Sequence, residues 1–274
     1  YFDSLSPHDP NVSDDDGNGI NDLFVQTGSA YKWYANTGTN DVPTITVGSG
    51  NSVAASLTET SAALSATGTL LITDVDQTNI VTPSVFSVVK SGITAGIISS
   101  DAVLKSMLTV SPSPVIGSTV ITGTLTWSFA SGSEKFDYLA DGEILTLVYT
   151  VRVTDSNSPA TTADQTVTIT ITGTNDAPTI TIGSGNSAAA ALTETSTTLT
   201  STGTLTVTDL DYTNTVVASV ASVVASGVTA GIISNNAALL AMLAVTPANI
   251  LSATETTATL AWSFNSNGEA FNYL

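Results

Sequence analysis

The chain repeats itself without a gap. Asp41-Val42-Pro43-Thr44-Ile45-Thr46 returns as Asp176-Ala177-Pro178-Thr179-Ile180-Thr181, an offset of 135 residues. The same offset carries Glu59 to Glu194, Asp74 and Asp76 to Asp209 and Asp211, Trp127 to Trp262, and Leu139 to Leu274. By direct count about 59 of the 99 aligned pairs are identical. A repeat of this kind demands a unit that folds once and is then copied, and 135 residues suffice for a unit to bury its own core. The expected organisation is a segment 1–40, a complete unit 41–175, and a second unit 176–274 without a counterpart of residues 140–175. The chain opens on Tyr1 and stops within the pattern, and is read as a piece of a longer polypeptide.

Period-two alternation identifies the elements. Leu145, Leu147, Tyr149, Val151 and Val153 share one face of an extended segment whose other face is mostly Thr and Arg. Residues 167–172, 205–208 and 125–129 alternate in the same way, with Thr suited to a pleated outer surface. Gly, Asn, Asp and Pro punctuate these runs at short intervals, which favours a sandwich over parallel βαβ units. The expected fold is all-β, with tandem β-sandwich units. Ala102–Leu108 and its copy Ala237–Leu243 are expected as short helices. Trp127 and Trp262, flanked by Leu and Phe on one strand face, are expected in the core.

Composition removes several functions. With 23 Asp+Glu against five Lys+Arg, the net charge is -18, and nucleic acid would be repelled. One histidine and no cysteine leave no Ser-His-Asp or Cys-His set and no thiolate metal site. His8, among Pro7, Asp9 and Pro10, is expected as a solvated turn residue. Charged residues make up only 10%, so this is not a disordered acidic tail. No apolar run reaches the roughly 18–20 residues that cross a membrane as a helix. No enzyme is expected, since tandem near-identical units serve length or multivalency.

The carboxylates fall into two groups. Asp14, Asp16, Asn18 and Asp22 occupy positions 1, 3, 5 and 9 of a calcium-loop spacing, with Gly19 at the turn and the Ile20 carbonyl at position 7. Val25 replaces the bidentate Glu of an EF-hand, and strand-like residues flank the loop. The second group is spread across the units: Glu59 and Glu194, Asp74-x-Asp76 and Asp209-x-Asp211 recur with the repeat, Asp155 ends a strong strand, and Asn175-Asp176 forms the junction. In an extended chain an Asp-x-Asp pair projects to one side. These groups either stand alone in water or converge at the junctions and share Ca²⁺.

Residues 16–25 with Tyr31-Lys32-Trp33-Tyr34 resemble the calcium-loop hairpin of FG-GAP-type repeats. Residues 149–159 and 165–178, with Leu57-Thr58-Glu59-Thr60, Thr73-Asp74-Val75-Asp76 and Leu125-Thr126-Trp127-Ser128-Phe129, resemble the VCBS repeat over nearly all of 41–274. That family forms tandem arrays in very large bacterial surface and RTX-type adhesins. The ends of the units are also similar to cadherin repeats, whose junctions hold calcium. The resemblances imply immunoglobulin- or cadherin-like sandwiches, with Asp155, Asp74 and Asp76 meeting Asn40-Asp41. They likewise imply that Glu59, with Asp141 or Glu143, meets Asn175-Asp176, Asp209 and Asp211. The implied role is a calcium-stiffened stalk of a secreted or cell-surface adhesin. Its partners would be neighbouring repeats of the same polypeptide, with a host or cell-surface glycan or protein engaged through other domains. A glycan- or protein-binding module and a surface-layer or filament subunit are the competing expectations.

Overall fold

The computed structural model describes residues 40–76 and 78–274, preceded by the backbone of three strands. These are β1 (Val12–Ser13), β2 (Asp22–Thr27) and β3 (Ala30–Tyr34), paired in the order β1-β2-β3.

Residues 41–175 form two facing sheets. Their elements are β4 (Thr44–Thr46), β5 (Ala54–Thr58), β6 (Ser65–Thr73), β7 (Thr82–Gly92), α1 (Asp101–Ser106), β8 (Leu108–Ser111), β9 (Thr122–Ala130), β10 (Ile144–Thr154) and β11 (Thr162–Thr172). One sheet runs β4-β6-β9-β8 and the other β5-β11-β10-β7. Apart from the parallel β5–β11 edge, all pairs are antiparallel. This is the ABED sheet of an immunoglobulin-type sandwich facing CFG, with the first strand split between the sheets. The chain is all-β with a sandwich core.

The core follows from the alternation. Leu145, Leu147, Tyr149, Val151 and Val153 of β10 are fully buried and meet Leu70, Leu125, Trp127 and Phe129 of the facing sheet. Trp127 is a core residue, and its Nε1 donates to the Ser52 carbonyl at 2.7 Å. The indole lies so close over Gly68 that any Cβ there would run into the ring, which explains a glycine inside β6. Tyr149 donates its hydroxyl to the Leu104 carbonyl of α1 at 2.8 Å, and Ser100 caps that helix by accepting from Val103 N. The expected helix at Ala102–Leu108 spans Asp101–Ser106 instead, because Leu108 already begins β8.

Residues 176–274 build β12 (Thr179–Thr181), β13 (Thr200–Thr208), β14 (Val216–Val217), α2 (Asn236–Leu240), β15 (Leu243–Thr246), β16 (Asn249–Leu251) and β17 (Thr257–Asn265). The order β12-β13-β17-β15 reproduces the first ABED sheet at the 135-residue offset. The β14–β16 pair reproduces the Val81–Ile116 bridge. Residues 189–193 and 218–227, the counterparts of β5 and most of β7, form no strand. In the first unit those strands pair only with β11 and β10, whose counterparts are not part of residues 176–274. The second core is correspondingly small, centred on Val207, Ile250, Leu251 and Leu260. Helix α2 is again shorter than expected, Asn236–Leu240 rather than Ala237–Leu243, with Leu243 opening β15. Among the described residues no helix is long and apolar enough to cross a membrane.

Candidate functional site

The carboxylates gather at the two ends of the first sandwich. At one end, β5 stops and its next residue, Glu59, is fully buried. Its Oε2 accepts from Thr174 Oγ1 at 2.7 Å and Thr174 N at 3.3 Å, while Oε1 has no partner. Thr174 belongs to the link between units, so Glu59 grips the chain just before Asp176. The Asp176 backbone N–H donates to Asp211 Oδ2 at 3.0 Å. Asp211 is fully buried and Asp209 nearly so. Asp176 Oδ2 and Asp211 Oδ1 are buried without a partner.

Asp137, which the sequence reading did not single out, completes this seam. It is half-buried beside Glu59, with Oδ1 unpartnered. Burial, a hydrogen bond with Glu59 and the charges of Glu59 and Asp176 push its carboxyl up to about 6. Burial also pushes Asp211 up to about 6, against a hydrogen bond from Asp176 N, with Asp209, Asp176 and Glu59 adding like charge. Asp176 is raised by burial and by Glu59 and Asp209. The position equivalent to Asp137 is Asn272, so the repeat alone could not mark it. It lies in the turn Phe136-Asp137-Tyr138, where Phe136 takes a positive φ of 65°, an angle the sequence does not announce. Glu143 reaches across the seam by accepting from Thr213 Oγ1 at 2.7 Å, whereas Asp141 is exposed.

The opposite end repeats the arrangement with one difference. Asp74, Asp76, Asp155 and Asp41 lie together, with Asp76 Oδ2 accepting from Asp41 N at 2.7 Å. Here Asn40 fills the middle. Its Nδ2 donates to Asp155 Oδ2 at 2.9 Å, and its Oδ1 accepts from Asn79 Nδ2 at 3.0 Å and Asn157 Nδ2 at 2.8 Å. Burial works against ionisation of Asp155, yet bonds from Thr161, Asn40 and Asn157 outweigh it and hold its carboxyl below the usual range. Asp74 is raised, chiefly by burial, and its Oδ2 has no partner.

Other expected site residues stand differently. The Asp-x-Asp pairs are not extended. Asp74 Oδ1 accepts from Asp76 N at 3.0 Å, and Asp209 Oδ1 from Asp211 N at 3.1 Å, so each pair is a turn that starts where its strand ends. Asn175 is exposed, its Nδ2 donating to the Asp176 carbonyl at 3.0 Å. Glu194 stays within its own loop, with Oε1 accepting from Ser196 N at 2.5 Å. Its twin Glu59 is held by Thr174, for which residues 176–274 have no equivalent. Asp14, Asp16, Asn18 and Ile20 lie outside the described residues, as do His8 and the side chain of Asp22.

Chemically, the seam is an oxygen-rich, anionic setting in which the Lys135 charge opposes the upward push on Asp137 without cancelling it. Arg152 is forked onto Asp164 at 2.7 and 2.8 Å beneath the Phe86 ring, and Lys90 pairs with Asp101. Unpartnered buried carboxylate oxygens are costly unless a cation or a proton satisfies them. They suit a hard divalent ion, which takes six to eight oxygens when it is calcium. Among the described residues no three carboxylates are already drawn in to ligating distance.

No family model and no curated protein matches the chain. Among solved structures it is similar to the ASH / PapD-like domain of human CEP192 (PapD-like domain 7), at 8% identity and TM-score 0.31, covering 54% of this chain and 97% of that one. It is also similar to the CooA pilin subunit from enterotoxigenic Escherichia coli, at 11% identity and TM-score 0.32, covering 50% of this chain and 100% of that one.

Proposed function

We propose that the chain is a stalk or spacer of a large secreted or cell-surface bacterial adhesin, in which Ca²⁺ stiffens the joints between successive sandwiches. One observation carries the reading. The buried, unpartnered oxygens Glu59 Oε1, Asp176 Oδ2 and Asp211 Oδ1 come from both units and flank the single covalent link between them. Glu59, Asp137, Asp176, Asp209 and Asp211 would hold the ion. Like charge spreads these groups in its absence, and the ion would cancel that repulsion and tie the units together. Asp41, Asp74, Asp76 and Asp155 would serve the joint on the other side. The role is mechanical and non-enzymatic, with neighbouring units of the same polypeptide as the immediate partners.

The test is calcium titration of the chain, by calorimetry and small-angle scattering, with and without EDTA. Binding is expected in the weak range of extracellular modules, roughly 10⁻⁴ to 10⁻³ M. EDTA should broaden the scattering profile and lower Tm, and Asp211→Asn should weaken binding. Profiles and Tm indifferent to EDTA would refute calcium stiffening.

A further inference from the structure

We propose that Lys135 is the resident counter-ion of the joint between the two units: its ammonium offsets part of the seam's negative charge when no metal is bound, and it competes there with Ca²⁺. The inference rests on the reading of the seam as a calcium joint and adds what sets the affinity. Its ground is a groove of about 430 Å³ between the units. Ile98, Lys135, Asp137 and Tyr138 of the first unit line it together with Leu210 and Tyr212 of the second. Apolar walls of this kind focus the field of a charge set between them. Asp137 belongs to both groove and seam, since it shares a hydrogen bond with Glu59. In the seam Glu59 and Asp211 are fully buried, each with one oxygen that meets no partner.

Lys135 is not committed elsewhere. Among the described residues the ion pairs are Arg152–Asp164 and Lys90–Asp101, and Lys135 belongs to neither. Its charge reaches Asp137, where it opposes the push from Glu59 and Asp176. The neighbouring Glu134 serves the backbone instead, its Oε2 accepting from Ser99 N at 2.9 Å. Its counterpart Glu269 does the same for Ser234 N at 2.9 Å, in a turn without the lysine. Phe136 and Phe271 take positive φ angles of 65° and 54°, so this turn bends alike in both units. Lys135 is therefore not needed to build it. What changes between the units is charge. Lys135-Phe136-Asp137 corresponds to Ala270-Phe271-Asn272, so the additional carboxylate and the ammonium occur together. An ammonium donates to carboxylates but offers no lone pair to a metal. It eases the seam's repulsion without calcium and opposes the ion that enters.

The test is calorimetric calcium titration of the intact chain at low and at high salt, comparing Lys135→Gln, Lys135→Arg and the control Lys105→Gln. Lys105, on α1, carries the same charge but does not line the groove. Lys135→Gln should tighten calcium binding by about threefold to tenfold at low salt, and high salt should shrink the gain. Lys135→Arg should bind like the parent chain. Without metal, small-angle scattering in EDTA at low salt should give a larger radius of gyration for Lys135→Glu than for Lys105→Glu, which has the same net charge. Equal, measurable calcium affinities of Lys135→Gln and Lys105→Gln overturn the inference, and so do identical EDTA profiles of the two glutamate variants. A gain in Lys135→Arg equal to that in Lys135→Gln also overturns it, because charge would not be the cause. If neither the parent chain nor any variant binds calcium, the stalk reading falls, and the EDTA comparison alone decides whether Lys135 restrains the joint.

Discussion

At the residue scale, the acidic groups that meet at the two ends of the first sandwich differ in which of their oxygens local bonds satisfy. Repetition marked Glu59, Asp74, Asp76, Asp176, Asp209 and Asp211, and the end of a strong strand marked Asp155, but neither signal says which oxygens stay free. Asp155 is fully engaged by Thr161, Asn157 and Asn40, whereas Asp211 is left with a free oxygen in a buried site. The two should therefore respond oppositely to pH. Asp211 sits at about 6 in the folded chain against an ordinary 3.8, so folding keeps a proton that the unfolded chain has lost. The contribution of Asp211 is then greatest below about 4 and is lost as pH rises toward about 6, with Asp137 acting in the same direction. Asp155 is depressed, so its contribution is present above 3.8 and fades as pH falls through its lower folded value. In EDTA, Tm should decline between pH 4 and 6, and Asp211→Asn should flatten that decline. Added calcium should reverse the slope, because the ion requires ionised carboxylates. An Asp211→Asn profile parallel to that of the parent chain would contradict this assignment.

At the element scale, the two units act as a control on each other. Long strands with clean alternation, β9, β10, β11 and β13, were legible because one face is buried against a core. Strand β5 was not, since Ala-Ala-Ser-Leu-Thr has little pattern and is a strand only by lying parallel to β11. Its copy at 189–193 keeps most of the residues and forms no strand, so pairing decides the structure there. The helices show the same dependence. Leu104 of α1 is fully buried, and Tyr149 of β10 reaches its carbonyl. Leu239 of α2, the same residue at the same place, remains partly exposed. Leu104→Ala is accordingly expected to cost about 2–5 kcal/mol, a typical loss for emptying a buried leucine site. Leu239→Ala should cost less than about 1 kcal/mol, because part of that side chain already meets water. Chemical denaturation of the two variants checks the contrast. Equal losses would mean that the second unit is packed as tightly as the first.

At the scale of the whole molecule, the joint combines two kinds of contact with different sensitivities. The carboxylate seam answers to ions and protons, while Tyr212 contributes an apolar contact and a backbone hydrogen bond. This residue follows Asp211 in the second unit, packs against the first unit's core, and donates its backbone N–H to the Tyr138 carbonyl at 3.0 Å. Its counterpart is Gln77, so the repeat comparison marks the position as different without showing why. Burying part of a tyrosine ring is worth about 1–2 kcal/mol, enough to bias a joint but not to lock it. Because the chain has no cysteine, the bias can be measured cleanly. Ser49→Cys and Ser184→Cys, at equivalent exposed turns of the two units, would carry a dye pair for single-molecule energy transfer. With calcium the distance distribution should be narrow, and Tyr212→Ala should broaden it only modestly. With EDTA the parent chain should broaden, and Tyr212→Ala should broaden further, because neither restraint then holds the units. If Tyr212→Ala in calcium were already as broad as the same variant in EDTA, the apolar contact alone would set the joint, and the carboxylates would contribute no stiffness.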